Sequence, residues 1–240
     1  MNKGLMRLYF DGVYNRAYDL TVARLSPYRR LKAHCLDKLE LNGDKSILCV
    51  GVGTGNEVLG VLARNGTGNL SLTGVDTSMS GLGRAYRKAQ GRGKEIAALR
   101  MDAHRLGFRD GSFDVVLCLH LMGFLEDDAR ATGEVFRVLK GNGQFVITYP
   151  SGRGGPGLAG EIWHGVREKL RAGKYTQAMG ECLAGLGAGV LYMPASLWVR
   201  PKQGFYSLAD LKALLSSFTP GGYSIEEDPV YQDFIVYGRK

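Results

Sequence analysis

From Lys45 onward the chain alternates short, almost unbroken apolar runs with longer stretches in which apolar residues recur every three or four positions. SILCVGV, LSLTGVD, IAALRMD, FDVVLCLHL and QFVITYP are the apolar runs; NEVLGVLARNG, SGLGRAYRKAQ and a segment near 128–139 carry the helical spacing. Strands that are hydrophobic on both faces are covered on both faces, and strands alternating with helices are βαβ units. The pattern therefore predicts an α/β domain with a mostly parallel sheet. Upstream, Leu20, Ala23, Leu31, Cys35, Leu36 and Leu39 recur at helical spacing, and Pro27 after Ser26 is placed to open a helix. Residues 1–44 are thus expected to form an N-terminal helical cover. Near the other end, SLADLKALLSSF begins with an S-x-x-D capping box at Ser207 and Asp210. YSIEEDPVYQDFIVYGRK reads as two strands around a tight turn at Asp228 and Pro229, which places the last strand antiparallel at or near the sheet edge.

The rhythm breaks over 151–206, where 11 glycines fall between Gly152 and Gly189 around a helix expected at 158–172. This segment reads as an insertion into a core made of 45–150 and 207–240. Its glycine-rich stretches 151–160 and 180–189 are suited to a mobile lid. The whole chain holds 35 glycines in 240 residues, about twice the ordinary share. With 45% hydrophobic and 22% charged residues it is nonetheless an ordinary folding sequence, neither disordered nor collagen-like.

A net charge of +8 makes anionic partners conceivable. Eight basic residues between Arg84 and Arg109 face only Glu95 and Asp102, without the aromatic interleaving of a nucleic-acid platform, so a solvated face is the expectation. The four cysteines, at 35, 49, 118 and 182, form no C-x-x-C pair and no metal-ligand spacing with a histidine. A reduced, cytoplasmic protein without a metal site is expected. No signal-peptide core or membrane span is read in the sequence, though the protein could still touch a membrane surface.

The sharpest chemical signal is ILCVGVGTGNE, a buried strand running into Gly51, Gly53 and Gly55 and then a helix start. Glycines there let the backbone approach a ligand closely and adopt positive φ. Asp76 ends the next strand, where a carboxylate can accept both hydroxyls of a ribose. The spacing is G-x-G-x-G rather than the G-x-G-x-x-G of dinucleotide dehydrogenases, and Glu57 in the first helical turn is unfavourable for a pyrophosphate. A nucleoside without phosphates fits better.

Three further segments complete a resemblance to the class I S-adenosylmethionine-dependent methyltransferases. LTGVDTSMSGLGRA resembles that family's second motif, with Asp76 as the ribose acid and Met79 against the adenine. ALRMDAHRLGFRDGSFDVV resembles the third, with Asp102 and Ala103 at the adenine edge, and GEVFRVLKGNGQFVIT resembles the helix, turn and strand that follow. FDGVYNRAYDL is similar to the type 11 branch of quinone-biosynthesis C-methyltransferases and some phospholipid N-methyltransferases, where a Tyr-Asp pair, here Tyr18 and Asp19, begins the cover over the cofactor. The resemblance implies a Rossmann-like, doubly wound sheet of seven mostly parallel strands with an antiparallel terminal hairpin. It implies S-adenosylmethionine as cofactor, held by Tyr18, Gly51, Gly53, Gly55, Asp76, Thr77, Met79, Asp102, Ala103 and Leu119. Two departures stand out: Cys49 occupies a position where the family usually has an acid for the charged methionine end, and Gly107 and Gly141 replace prolines.

A sulfonium methyl is already activated, so such an enzyme mainly positions its acceptor and excludes water. Where the acceptor must lose a proton, His120, just past a strand end, is the first candidate base. Phe124, Leu158, Ile162, Trp163, Leu191, Tyr192, Met193 and Trp198 supply apolar material for an acceptor pocket, with His164 nearby. A small apolar or amphiphilic acceptor, quinol-like or lipid-like, is expected. A nucleic-acid methyltransferase, a non-catalytic binding protein of the same fold and, more distantly, a nicotinamide dehydrogenase are the rival readings.

Overall fold

The structure, a computed structural model, describes residues 8–64, 69–151, 157–198, 205–219, 222–228, 230 and 233–240. Seven strands form one sheet: β1 (Lys45–Val50), β2 (Leu70–Asp76), β3 (Ala97–Arg100), β4 (Phe113–Cys118), β5 (Leu139–Pro150), β6 (Tyr223–Asp228) and β7 (Asp233–Arg239). Their order is β3-β2-β1-β4-β5-β7-β6. The first five are parallel, and β7 runs antiparallel to both β5 and β6. The last strand therefore slots between β5 and β6, and β6 takes the edge.

The helices are α1 (Asn15–Tyr18), α2 (Ser26–Asp37), α3 (Asn56–Arg64), α4 (Met79–Gln90), α5 (Asp128–Val138), α6 (Gly157–Arg171), α7 (Tyr175–Trp198) and α8 (Leu208–Ser216). Pro27 sits in the first turn of α2, and the Ser207–Asp210 capping box opens α8. Alternation along β1 divides the core. Ile47 and Cys49 join Leu31, Cys35, Val58, Val61, Leu82 and Ala85 on the side of α2, α3 and α4. Leu48 and Val50 join Val135, Phe136, Leu211 and Leu215 on the side of α5 and α8. Burying both faces of the sheet in this way is what the continuous apolar runs require.

A third apolar cluster joins the cover to α7 through Val22, Leu25, Tyr28, Ala184, Ala188 and Leu191. Here the expectation of a lid over 180–189 is corrected, because that stretch is the middle of a helix. Two of its four glycines serve close packing, while Gly180 and Gly189 face open space. A Cβ at Gly185 would stand 3.2 Å from Ile162 of α6, and one at Gly187 only 2.6 Å from Thr21 of the cover. Glycine costs a helix about 1 kcal/mol relative to alanine, and close packing of this kind offsets the cost. The glycines at 152, 154 and 155 lie outside the described residues.

All four cysteines are free thiols. Cys35, Cys49 and Cys118 are buried, while Cys182 on α7 is half-buried. Burial pushes the thiol of Cys35 up to about 12, and those of Cys49 and Cys118 further still.

Candidate functional site

The chain leaves β1 toward β2 and leaves β4 toward β5, in opposite directions along the sheet. This reversal opens a crevice at the carboxyl ends of β1 and β4, the place where open α/β sheets bind ligands. The loop after β1 fills its floor. Gly51, Gly53 and Gly55 have φ of 68°, 49° and 81°, values that side-chain-bearing residues rarely adopt. Gly55 also lies so close to α4 that a Cβ would stand 2.6 Å from both Cα and Cβ of Ala85. Gly53, by contrast, faces open space, with only the Gly51 carbonyl oxygen at 3.9 Å from a Cβ built there.

Asp76, at the end of β2, accepts hydrogen bonds from the amides of Gly53 and Ser78, each at 2.8 Å. Burial pushes its carboxyl up, and these amides offset only part of that rise. Gly51, Asp76, Thr77, Asp102 and Ala103 line one cavity of about 60 Å³ with Leu121 and Leu125. A carboxylate acceptor beside an apolar slot suits the ribose and base of a nucleoside, of which a cavity this size encloses only a part. Met79 opens α4 and is exposed, whereas Leu119 is buried in the core on the α2 side and does not line this cavity. Asp102 accepts from the backbone N–H of His104 and pairs with its Nδ1, at 2.9 and 2.6 Å. Replacing Asp76 with alanine is expected to weaken S-adenosylmethionine binding by about 1–3 kcal/mol, roughly 5- to 150-fold. Calorimetry reads this directly, and an unchanged affinity would refute the ribose role.

His120 stands just past β4 with φ of 54°. Its backbone N–H donates to Thr148 Oγ1 at 2.8 Å, its Nδ1 lies 2.9 Å from Asp233 Oδ2, and its ring stacks on Tyr28 with centroids 5.5 Å apart. Three elements distant in sequence thus fix one imidazole. The contact of Nδ1 with the carboxylate is electrostatic rather than an aligned hydrogen bond, and Nε2 is buried. Tyr28 in turn shares a hydroxyl–hydroxyl bond with Tyr18, whose ring meets it edge-on. Tyr18 therefore enters the site through the His120 support. Asp233 and Tyr28 carry no local motif and were not foreseen from the sequence.

The cover is stitched to the glycine loop. Asp19 Oδ1 accepts from Thr54 Oγ1 at 2.8 Å, Asn56 Nδ2 at 3.2 Å and Lys88 Nζ at 2.6 Å. Burial pushes the Asp19 carboxyl up, but Lys88 and Thr54 outweigh it and hold the group below its usual range. Asn15 donates to Ser78 and Ser80 at the start of α4. Lys32 of α2 forms a buried ion pair with Glu57 of α3 and stands over the Tyr28 ring at 4.3 Å. The Glu57 charge also acts on Cys49, adding to burial in raising that thiol. An acid at position 49 would meet Glu57 as a second buried negative charge, a repulsion the neutral thiol avoids.

In the insertion, Leu191 is buried and Ile162 half-buried against the cluster that includes Tyr28. Trp163 and Phe124 are exposed, and the exposed His164 lies 3.8 Å from Glu168, so solvent rather than a pocket surrounds them. Leu158, Tyr192, Met193 and Trp198 lie outside the described side chains. Tyr206, the last residue of the insertion, donates to Asp128 Oδ2 at 2.7 Å, and the Gly123 amide donates to the same oxygen. This buried carboxylate ties the loop after β4 to the chain leaving the insertion.

Comparisons with known proteins agree with the fold. Residues 48–147 match the methyltransferase domain family. The demethylmenaquinone methyltransferase of Thermus thermophilus is 27% identical over 198 residues, covering 82% of each chain. The phosphatidylethanolamine N-methyltransferase of Cereibacter sphaeroides is 34% identical over 134 residues, 54% of this chain and 61% of that one, so the chain spans about three fifths of that relative. A solved methyltransferase from Aquifex aeolicus shares the fold, with a TM-score of 0.54 at 15% identity over 100% of this chain and 99% of its own. Motif, domain match and fold together support a class I S-adenosylmethionine-dependent methyltransferase.

Proposed function

We propose that this enzyme methylates a small amphiphilic acceptor, quinol-like or lipid-like, and that His120 takes the proton the acceptor gives up. The observation that carries this reading is the fixing of His120 by Asp233 and Tyr28 at the crevice between β1 and β4. Gly51, Gly53, Gly55, Asp76, Thr77, Met79, Asp102 and Ala103 would hold the cofactor, with Leu121 and Leu125 closing on its base. Bound S-adenosylmethionine would supply the activated methyl group. The protein then needs to orient the acceptor, shed water and remove one proton as the nucleophilic atom gains the methyl. Asp233 sets a negative charge beside the His120 ring, and the cover, tied down through Asp19 and Asn15, would shield the crevice from solvent. The acceptor class is supported by relatives named for demethylmenaquinone and phosphatidylethanolamine. The basic run from Arg84 to Arg109 lends a nucleic-acid acceptor little support, since Lys88 is turned inward to Asp19.

The test is methyl transfer from radiolabelled S-adenosylmethionine to a reduced naphthoquinone with an open ring position, to phosphatidylethanolamine vesicles, and to RNA and DNA. Label should enter the quinol or the lipid. Label in nucleic acid alone, or in none of them by a protein that binds the cofactor, would overturn the reading.

A further inference from the structure

Helix α7 is packed inside out. Its buried face consists of Ala178, Glu181, Ala184, Ala188 and Leu191. Tyr175, Met179, Leu183, Leu186 and Val190, spaced by four, four, three and four residues, are each between 61 and 75% exposed. At 100° per residue these five fall within one narrow arc and run along about 22 Å of helix. Water-soluble helices normally turn large apolar side chains toward the core, and a contiguous exposed patch marks an interaction site. The only charge in α7 is Glu181, and it is turned inward, bonded to Ser26 and to Lys169. The patch extends onto the cover, since Gly187 packs against Thr21 and the neighbouring Leu20 is 61% exposed.

We infer that this face docks on the surface of an anionic phospholipid bilayer. The rim supplies the charge complementarity. Arg167, Arg171 and Lys174 are exposed where α6 turns into α7, with Leu170 exposed among them, and Arg16 and Arg24 are exposed on the cover beside Leu20. Apolar side chains flanked by cations suit the headgroup boundary, where the chains enter the acyl region and the cations meet anionic lipid. A second copy of the chain is a poorer occupant, because a two-fold contact would set these cations against their own equivalents on a protein of net charge +8. Among the described residues no helix is long and apolar enough to cross a membrane, and Glu181 holds the opposite face of α7 to the protein. The helix therefore lies on the bilayer. Nothing in this inference depends on which acceptor is methylated, although it would bring the site to a surface where lipid-soluble acceptors reside.

Co-sedimentation with vesicles, without cofactor or acceptor, tests it. At about 0.15 M salt the protein should bind phosphatidylcholine vesicles containing about 30 mol % phosphatidylglycerol at least tenfold better than phosphatidylcholine alone. Leu183→Glu with Leu186→Glu should lower that binding about tenfold or more. Arg171→Glu with Lys174→Glu should remove most of the preference for anionic lipid. Circular dichroism confirms folding, and if the double glutamate variant does not fold, Leu186→Gln alone is expected to show a smaller loss in the same direction. Absent binding by the parent protein, binding unchanged in folded variants, or a dimer by light scattering that the glutamate variant turns to monomer would overturn the inference. Each outcome leaves the reading of the methyl-transfer site as it stands.

Discussion

His120→Ala is expected to lower kcat by about 10²- to 10⁴-fold, the range of a general base, with S-adenosylmethionine affinity nearly unchanged. The asymmetry follows from geometry. His120 is held from the protein side by Thr148, Asp233 and Tyr28, whereas the Asp76 cavity lies on the β1–β2 side of the crevice. Asp233→Asn should lose part of this rate, because it removes the negative charge that favours the imidazolium formed when His120 takes a proton. Added imidazole should restore part of the rate to His120→Ala and none to Asp233→Asn, since only the first leaves a space where a base is missing. Retention of full kcat by His120→Ala would show that the acceptor loses its proton to water.

The second large effect concerns stability. Lys32→Met should lower the unfolding free energy by about 3–5 kcal/mol, the cost of leaving a buried carboxylate without its partner. Side-chain exposures of 9% for Lys32 and 11% for Glu57 place the pair beyond effective screening by solvent. The double variant Lys32→Met with Glu57→Leu should recover most of the loss, because a buried pair replaced by apolar groups is often neutral. Urea denaturation of the parent, Lys32→Met, Glu57→Leu and the double variant closes the cycle. A loss below about 1 kcal/mol in the single variant would mean that Glu57 finds water, and that the two helices are coupled by packing alone.

The parts of the fold that were readable are those with a local cause. Continuous apolar runs mark strands covered on both faces, clustered glycines mark the turn after β1, and an acid 21 residues beyond Gly55 marks the end of β2. Helix α7 escaped because Gly180, Gly185, Gly187 and Gly189 were weighed as breakers, although Ala178, Glu181, Ala184 and Ala188 repeat at helical spacing beneath them. The supports of His120 were beyond reach for another reason. Tyr28 and Asp233 lie about 90 and 110 residues away, and only the topology, with β7 inserted beside β5, brings them together. Likewise Glu57 was visible as an acid in a first turn, while its partner Lys32 belongs to a helix whose placement no pattern specifies.

The burial of three cysteines has a practical corollary. Alkylating reagents attack the thiolate, and at pH 8 the raised thiols of Cys35, Cys49 and Cys118 are almost wholly protonated as well as shielded. Cys182 is then the natural handle for a fluorophore or spin label, at the edge of the exposed α7 stripe and next to Leu183. A single reporter on α7 can be installed in the unaltered protein, and its polarity or depth signal would follow that helix as its surroundings change.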